Sequence, residues 1–275
     1  MTTTNLHEVY LLISKLQLPM KYFIYLLCFI IPSKLFACDC VSHSFSHIYQ
    51  TADFIATAKI LRVAQVPNTS RYREIEIEIS HLYKGNTTTI LQTVNDSLSN
   101  CGIHTPVNSN WLIFAYYDEN KVLNFGLCSG SIWLDNPYYA GIGKVNRQAQ
   151  IKRTLEILEY LEQKQLNNTY TGAFYSPKFT SDFLKSLKGF PNKGRCFSIY
   201  ELAADSSLNI TSSKETLQFK NRKLARAIRD GIKNIKTART VGKQQRPGKP
   251  VKILVILIYY PEDEKYQSFV SQSVL

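Results

Sequence analysis

The sequence lacks the short motifs that mark several large enzyme classes. It contains no H-E-x-x-H zinc-protease motif, no G-x-S-x-G nucleophile elbow and no Walker A phosphate loop. No pair of carboxylates stands out as a general acid and base. With 44% hydrophobic and 20% charged residues, the composition also excludes a disordered tail protein and a polytopic membrane protein. We therefore expect a globular chain that is not an enzyme and needs no cofactor.

Positive charge is concentrated toward the C-terminus. Residues 166–275 hold 19 lysines and arginines against 8 acidic residues, whereas residues 38–165 hold 11 against 12. We predict an amphipathic helix at 217–238, and eight basic residues lie on it or directly after it: Lys220, Arg222, Lys223, Arg226, Arg229, Lys233, Lys236 and Arg239. Such a surface attracts anions, and an anionic envelope surface is the expected partner. The alternative is a solvated helix face opposite an apolar side formed by Leu224, Ile228, Ile232 and Ile235.

The N-terminal part has the pattern of an export signal. From Met20, the expected start, Lys21 is followed by the apolar run 22–31 and by a segment that ends in Ala37. The run is shorter than the about 20 apolar residues that span a membrane, so cleavage after Ala37 is favoured over an uncleaved anchor. We expect a secreted, periplasmic or cell-envelope protein, for which nucleic acid is not an expected partner.

The segment before Cys38 also resembles a lipoprotein cleavage site, although Phe36 is bulkier than the small residue that such sites prefer. Lipidation would convert the sulfur of Cys38 to a thioether and acylate its amine. Under this alternative the chain is an envelope lipoprotein that acts as an adaptor.

Export makes disulfides the expected state of the cysteines. After cleavage the chain keeps Cys38, Cys40, Cys101, Cys128 and Cys196. The first four allow three pairings, and Cys196 is left over. Two histidines extend the first pair into the pattern C-x-C-x2-H-x3-H at Cys38, Cys40, His43 and His47. Oxidised cysteines cannot serve as thiolate ligands, so we predict no metal site.

Short strands follow one another between residues 54 and 128. Within residues 73–79, glutamate and isoleucine alternate strictly from Glu74 to Ile79, which indicates a strand with one buried face. Turn residues separate the strands, which are predicted at 54–66, 73–83, 88–94, 111–117 and 122–128. Five short strands with no long helix between them favour a small antiparallel barrel or sandwich.

The order of these segments resembles the N-terminal domain of tissue inhibitors of metalloproteinases (TIMPs), a netrin-like module. The resemblance covers about residues 38–135 and rests on Cys38-Asp39-Cys40, 52–59, Leu82-Tyr83-Lys84-Gly85, Cys101-Gly102-Ile103, 111–115 and Leu127-Cys128. It implies a five-stranded OB-type β-barrel with flanking helices. It also implies two disulfides, Cys38–Cys101 and Cys40–Cys128.

The same resemblance implies a mode of action. In the family's inhibitors, the α-amine and carbonyl oxygen of the terminal cysteine, here Cys38, chelate the catalytic zinc of the protease. The next residue, here Asp39, enters the specificity pocket, where a carboxylate is desolvated and repelled by the protease's glutamate. Asp39 therefore argues against strong inhibition. We expect a protein- or ligand-binding module, with zinc metalloproteinase inhibition through Cys38 and Asp39 as the alternative.

The C-terminal part predicts a second, α+β unit. A helix at 147–166 and a linker at 167–194 precede strands at 195–203 and 208–212, the basic helix and a strand at 251–260. This strand–strand–helix–strand order is similar, over about 194–262, to the C-terminal domain of TonB-type energy transducers, with Gly248-Lys249-Pro250-Val251 before the last strand. The predicted organisation is a leader at 1–37, a barrel at 38–135, a helix and linker at 136–193 and a basic α+β domain at 194–275.

Overall fold

The computed structural model describes residues 40, 43–97, 101–136, 142–166, 170, 174–239 and 247–272. Its helices, in chain order, are α1 (Phe45–Thr51), α2 (Ile142–Gln163), α3 (Ser181–Ser186) and α4 (Arg222–Ile232). Its strands are β1 (Phe54–Gln65), β2 (Tyr72–Lys84), β3 (Ile90–Val94), β4 (Asn110–Tyr117), β5 (Leu123–Asn124), β6 (Ile132–Trp133), β7 (Tyr175–Pro177), β8 (Phe197–Ala204), β9 (Ile210–Leu217), β10 (Thr237–Arg239), β11 (Val251–Tyr260) and β12 (Phe269–Ser271). Within these ranges no helix is both long and apolar enough to cross a membrane.

The first five strands close into a barrel in the order β1-β2-β3-β5-β4, with β4 paired back onto β1. The fold is mainly β, and the predicted five-stranded OB-type barrel with flanking helices is confirmed. The barrel is mixed, because β5 returns from β4 as an antiparallel strand and then runs parallel to β3 at Gln92 and Asn124. The expectation of a purely antiparallel barrel is therefore wrong at this one pairing. Strand β6 adds to the outer edge of β4.

Strict alternation along β2 explains how the barrel fills its interior. Ile75 and Ile77 are almost fully buried, whereas Glu74 and Glu76 point outward and both bind Arg62 on β1. The remaining interior is apolar and comes from the other four strands and the turn after β5: Phe54, Ala56, Ala58, Ile60, Leu91, Trp111, Ile113, Ala115, Leu123 and Phe125.

A four-stranded sheet in the order β12-β11-β8-β9 forms the C-terminal half of the chain. Leu254, Ile256 and Ile258 of β11 pack against α1, α2 and the outer side of the barrel. The alternate side chains of β11, such as Val255 and Leu257, pack beneath α4. Burial on both faces explains the uninterrupted apolar run in β11.

The barrel and the C-terminal sheet belong to one compact unit and share a hydrophobic core. That core combines Leu112 and Phe114 of β4 with Phe197 and Ile199 of β8. The division into a barrel domain at 38–135 and a separate C-terminal domain at 194–275 stays a prediction.

The helix predicted at 217–238 is shorter in the structure. Leu217 ends β9, and α4 begins only after Asn221, whose side chain accepts hydrogen bonds from the backbone N–H groups of Lys223 and Leu224. Asparagine at this position satisfies donors that have no partner within the helix. The helix ends at Ile232, and the chain becomes extended again in β10.

Other boundaries also differ from the prediction; the helix predicted at 147–166, for example, is α2 at Ile142–Gln163. The strand expected at 122–128 is limited to Leu123–Asn124, because a turn closed by a hydrogen bond from Ser129 N–H to Gly126 C=O follows it. The strand expected at 208–212 is β9, which begins and ends later. The expected linker at 167–194 contains β7 and α3.

Candidate functional site

A disulfide bond joins Cys40 to Cys128, two residues 88 positions apart whose Cα atoms lie 5.2 Å from each other. Cys128 lies in the turn that follows β5, so the bond attaches the N-terminal segment directly to the barrel. This is the pair that the resemblance to TIMPs implies. The bond therefore holds Cys40 itself next to the barrel.

Cys101 is also disulfide-bonded. Its predicted partner Cys38, and with it the predicted inhibitory residue Asp39, lies outside the described residues. The segment around Cys101 is held to β2 through Asp96, whose carboxylate binds the Arg73 guanidinium at 2.8 Å and His104 Nδ1 at 3.0 Å. The contacts of Asp96 with Arg73 and His104 therefore hold the segment that carries Cys101 against the barrel.

Helix α1 fixes the segment that follows Cys40. Its first turn is capped by Ser44, which accepts a hydrogen bond from the backbone N–H of His47. Its last carbonyl groups, those of Tyr49 and Gln50, accept hydrogen bonds from Lys84 Nζ at 2.9 and 3.0 Å. A cation is favourable there because it faces the negative end of the helix dipole. Burial lowers the pKa of Lys84, and the nearby Asp53 opposes this shift.

A buried hydrogen bond ties α1 to the C-terminal sheet. Ser46 Oγ accepts from the backbone N–H of Ile256 at a distance of 2.9 Å. The N–H belongs to β11 at a position that β12 does not reach, because β12 pairs only with residues 258–260. Ser46 thus satisfies a donor that would otherwise be buried without a partner.

Two histidines and an aromatic ring contact one another at the start of α1. The rings of His43 and His47 are 4.4 Å apart, and the ring of Phe174 meets His47 edge-on at 5.9 Å. Burial lowers the pKa of His43, and the charge of His47 lowers it further. Across the part of the chain that the structure describes, no group of three or more His, Cys, Asp or Glu side chains is arranged to hold a metal ion.

One exposed apolar side chain directly precedes a disulfide cysteine in the sequence, and a second contacts His47 of α1. Leu127, directly before Cys128, is 48% exposed, and Phe174 is 49% exposed. We refer to Cys40, His43, Leu127 and Cys128 together as the disulfide surface. It combines a cross-linked backbone with an apolar side chain and an imidazole ring, a combination suited to contact with another protein. Sequence reasoning missed Phe174, whose only signal was an aromatic residue in a polar stretch.

The predicted basic residues lie elsewhere in the fold. Four of them, Arg222, Lys223, Arg226 and Arg229, belong to α4, whereas Lys220 precedes it and Lys233, Lys236 and Arg239 follow it. Helix α4 covers the face of the C-terminal sheet opposite to the face that contacts α1. The basic residues and the disulfide surface are therefore separate features. The free cysteine, Cys196, is half-buried and directly precedes β8.

Two comparisons, one with protein-family models and one with curated proteins, give no relative for this chain.

Proposed function

We propose that the chain is an exported, disulfide-stabilised binding module that holds a protein partner on the disulfide surface. The observation that carries this proposal is the Cys40–Cys128 disulfide, which attaches the start of the mature chain to the barrel beside the exposed Leu127. A disulfide between distant residues is typical of proteins that work in an oxidising compartment. This supports a secreted, periplasmic or envelope location.

Rigidity is the physical reason to place the binding activity here. Association costs conformational entropy for every loop and side chain that must be ordered. The Cys40–Cys128 bond, the α1 cap at Ser44 and the Lys84 contacts order this part of the chain before a partner arrives. Exposed apolar groups on a rigid support, such as Leu127, contribute binding energy at a low entropic cost.

Site-specific photo-crosslinking tests the proposal in producing cells. A photoreactive residue at Leu127 is expected to yield a discrete adduct in the extracytoplasmic fraction, and Cys128→Ser is expected to abolish it. Leu61 is the matched control. Its side chain is 41% exposed, similar to that of Leu127, but it lies within β1 and is not next to either disulfide cysteine in the sequence. The proposal fails if Leu127 gives no adduct, or if Leu61 gives the same one.

The second candidate is inhibition of a zinc metalloproteinase through Cys38 and Asp39. The attachment of Cys40 to the barrel favours it, because a terminal amine two residues away from a fixed point is well placed to chelate zinc without a large entropic cost. Titration of a panel of zinc proteases with protein whose Cys38 amine is verified as free tests this candidate. No inhibition ends it, whereas inhibition that strengthens in Asp39→Ser supports the argument about the carboxylate.

Lipidation of Cys38 would leave the Cys40–Cys128 disulfide in place, but it would remove both the predicted Cys38–Cys101 disulfide and the inhibitor. An acylated amine cannot chelate zinc, so the chain would then serve as an envelope lipoprotein adaptor. The mass of the N-terminal peptide separates these alternatives, since a diacylglyceryl group adds several hundred daltons to it.

A further inference from the structure

A row of basic side chains follows one side of α4. Arg222, Arg226, Arg229 and Lys233 are four, three and four positions apart, so each lies about one helical turn from the next on the same side. Lys220 lies two residues before this series, and Lys236 lies three residues after it. We refer to these six residues as the basic row: Lys220, Arg222, Arg226, Arg229, Lys233 and Lys236.

The basic row is held in place by the opposite side of the helix. Leu224, Ile228 and Ile232 are fully buried against the C-terminal sheet. The ring of Phe183 from α3 occupies the space where a side chain at Gly231 would be. The cations therefore stand on a fixed support and need little ordering before they bind.

Most of the positive charge in the row is uncompensated. Arg229 binds Glu215 of β9 through two hydrogen bonds, at 3.1 and 2.8 Å. The other five side chains are exposed and form no ion pair with any residue that the structure describes. Between residues 220 and 236 the chain contains a single acidic residue, Asp230. This part of the surface thus carries a strong local excess of positive charge.

The character of the row indicates the kind of partner. Residues 220–236 include no aromatic side chain, so the row has no platform on which bases stack. The cations project from the convex side of a helix, which offers no hollow for a small anion. They are also spread along α4, which has about three turns, and the residues on either side of it. Such a spread suits a surface that presents many anions and not a single charged group.

We propose that the basic row docks the chain onto an anionic phospholipid bilayer by charge alone. Each lysine or arginine near such a surface contributes about 1 kcal/mol, equal to roughly a fivefold change in binding. Between residues 220 and 236, no exposed side chain is apolar, so none can insert into the lipid. Salt is therefore expected to reverse the binding. This inference concerns a different surface from the proposed function and does not depend on it.

Vesicle co-sedimentation of the full chain tests the proposal. We expect binding to vesicles of phosphatidylcholine with about 30% phosphatidylglycerol, and none to phosphatidylcholine alone. The variant Arg226→Gln/Lys233→Gln removes two charges and should bind the anionic vesicles roughly 25-fold more weakly. The matched control, Arg71→Gln/Lys121→Gln, removes two exposed charges from the barrel and should bind like the parent.

Three outcomes would overturn the proposal. They are equal binding to both vesicles, an unchanged affinity in the Arg226/Lys233 variant, and tighter binding to a DNA duplex than to anionic vesicles at equal phosphate concentration. A second variant, Arg222→Gln/Lys236→Gln, carries the same prediction, so the test remains decisive if the first variant does not fold. Circular dichroism establishes that each variant keeps the parent's helical content.

Discussion

Removal of the Cys40–Cys128 disulfide in Cys40→Ser/Cys128→Ser is expected to lower the free energy of unfolding by about 4.5 kcal/mol. The bond joins residues 88 positions apart. In the chain-entropy model, closing a loop of this length removes about 15 cal/mol/K from the unfolded state, which gives that value at about 25 °C. Domains are typically stable by about 5–15 kcal/mol. The loss is therefore large enough to populate the unfolded state measurably.

Guanidinium unfolding followed by tryptophan fluorescence measures this loss. The chain's two tryptophans, Trp111 and Trp133, stack on each other in the barrel sheet, so the signal reports on the cross-linked part. Cys196→Ser is the matched control, because its thiol is free and closes no loop. The reasoning is refuted if the double variant loses less than about 1 kcal/mol, or if Cys196→Ser loses as much.

Three further predictions concern single residues. Ser46→Ala leaves the buried N–H of Ile256 without its acceptor, and we expect it to lower the free energy of unfolding by about 1–3 kcal/mol in chemical denaturation. Gly85 has a φ of +95°, so Gly85→Ala should cost more than about 1 kcal/mol, whereas Gly126→Ala, where an added methyl group meets no atom within 4 Å, should cost less. Burial raises the pKa of the Cys196 thiol to about 11 from 9.0, so alkylation near pH 8 should be roughly 100-fold slower than in an unfolded peptide.

The Cys196 prediction also fixes a sign for the dependence of stability on pH. The folded chain keeps the thiol proton to a higher pH than the unfolded chain, so this group lowers stability as the pH rises from about 9 through about 11. After burial, Glu156 is the next cause of the raised pKa. Glu156→Gln is therefore expected to accelerate alkylation. If Cys196 in the folded parent is alkylated as fast as in an unfolded peptide, this account of the thiol is wrong. If Gly85→Ala and Gly126→Ala lower the free energy of unfolding equally, the argument from φ at Gly85 is wrong.

Elements with a strong local pattern could be predicted from the sequence. Strand β2 alternates because only one of its faces enters the barrel. Strand β11 is apolar from Ile253 to Tyr260 because α4 and α1 cover both of its faces. The ends of α4 depend on local chemistry that hydrophobic spacing does not reveal, namely the Asn221 cap and the return to β10. The parallel pairing of β3 with β5 arises only from closure of the whole barrel.

The candidate site could be predicted only in part. From the residues alone, four cysteines leave three pairings open, and the resemblance to TIMPs singled out Cys40–Cys128. The contact between Phe174 and His47 joins segments far apart in the sequence, so no local pattern indicates it. The basic residues were evident from the sequence. The ion pair between Arg229 and Glu215 was not, because it joins α4 to a different element, β9.

Peptide mass spectrometry of the purified, non-reduced protein is the most direct test of the central claim, that a mature chain beginning at Cys38 is fastened to its barrel by disulfides. The account predicts an N-terminal peptide that starts at Cys38 and is linked to the peptides that contain Cys101 and Cys128. A retained leader, or a Cys40 thiol that is alkylated without prior reduction, would contradict it.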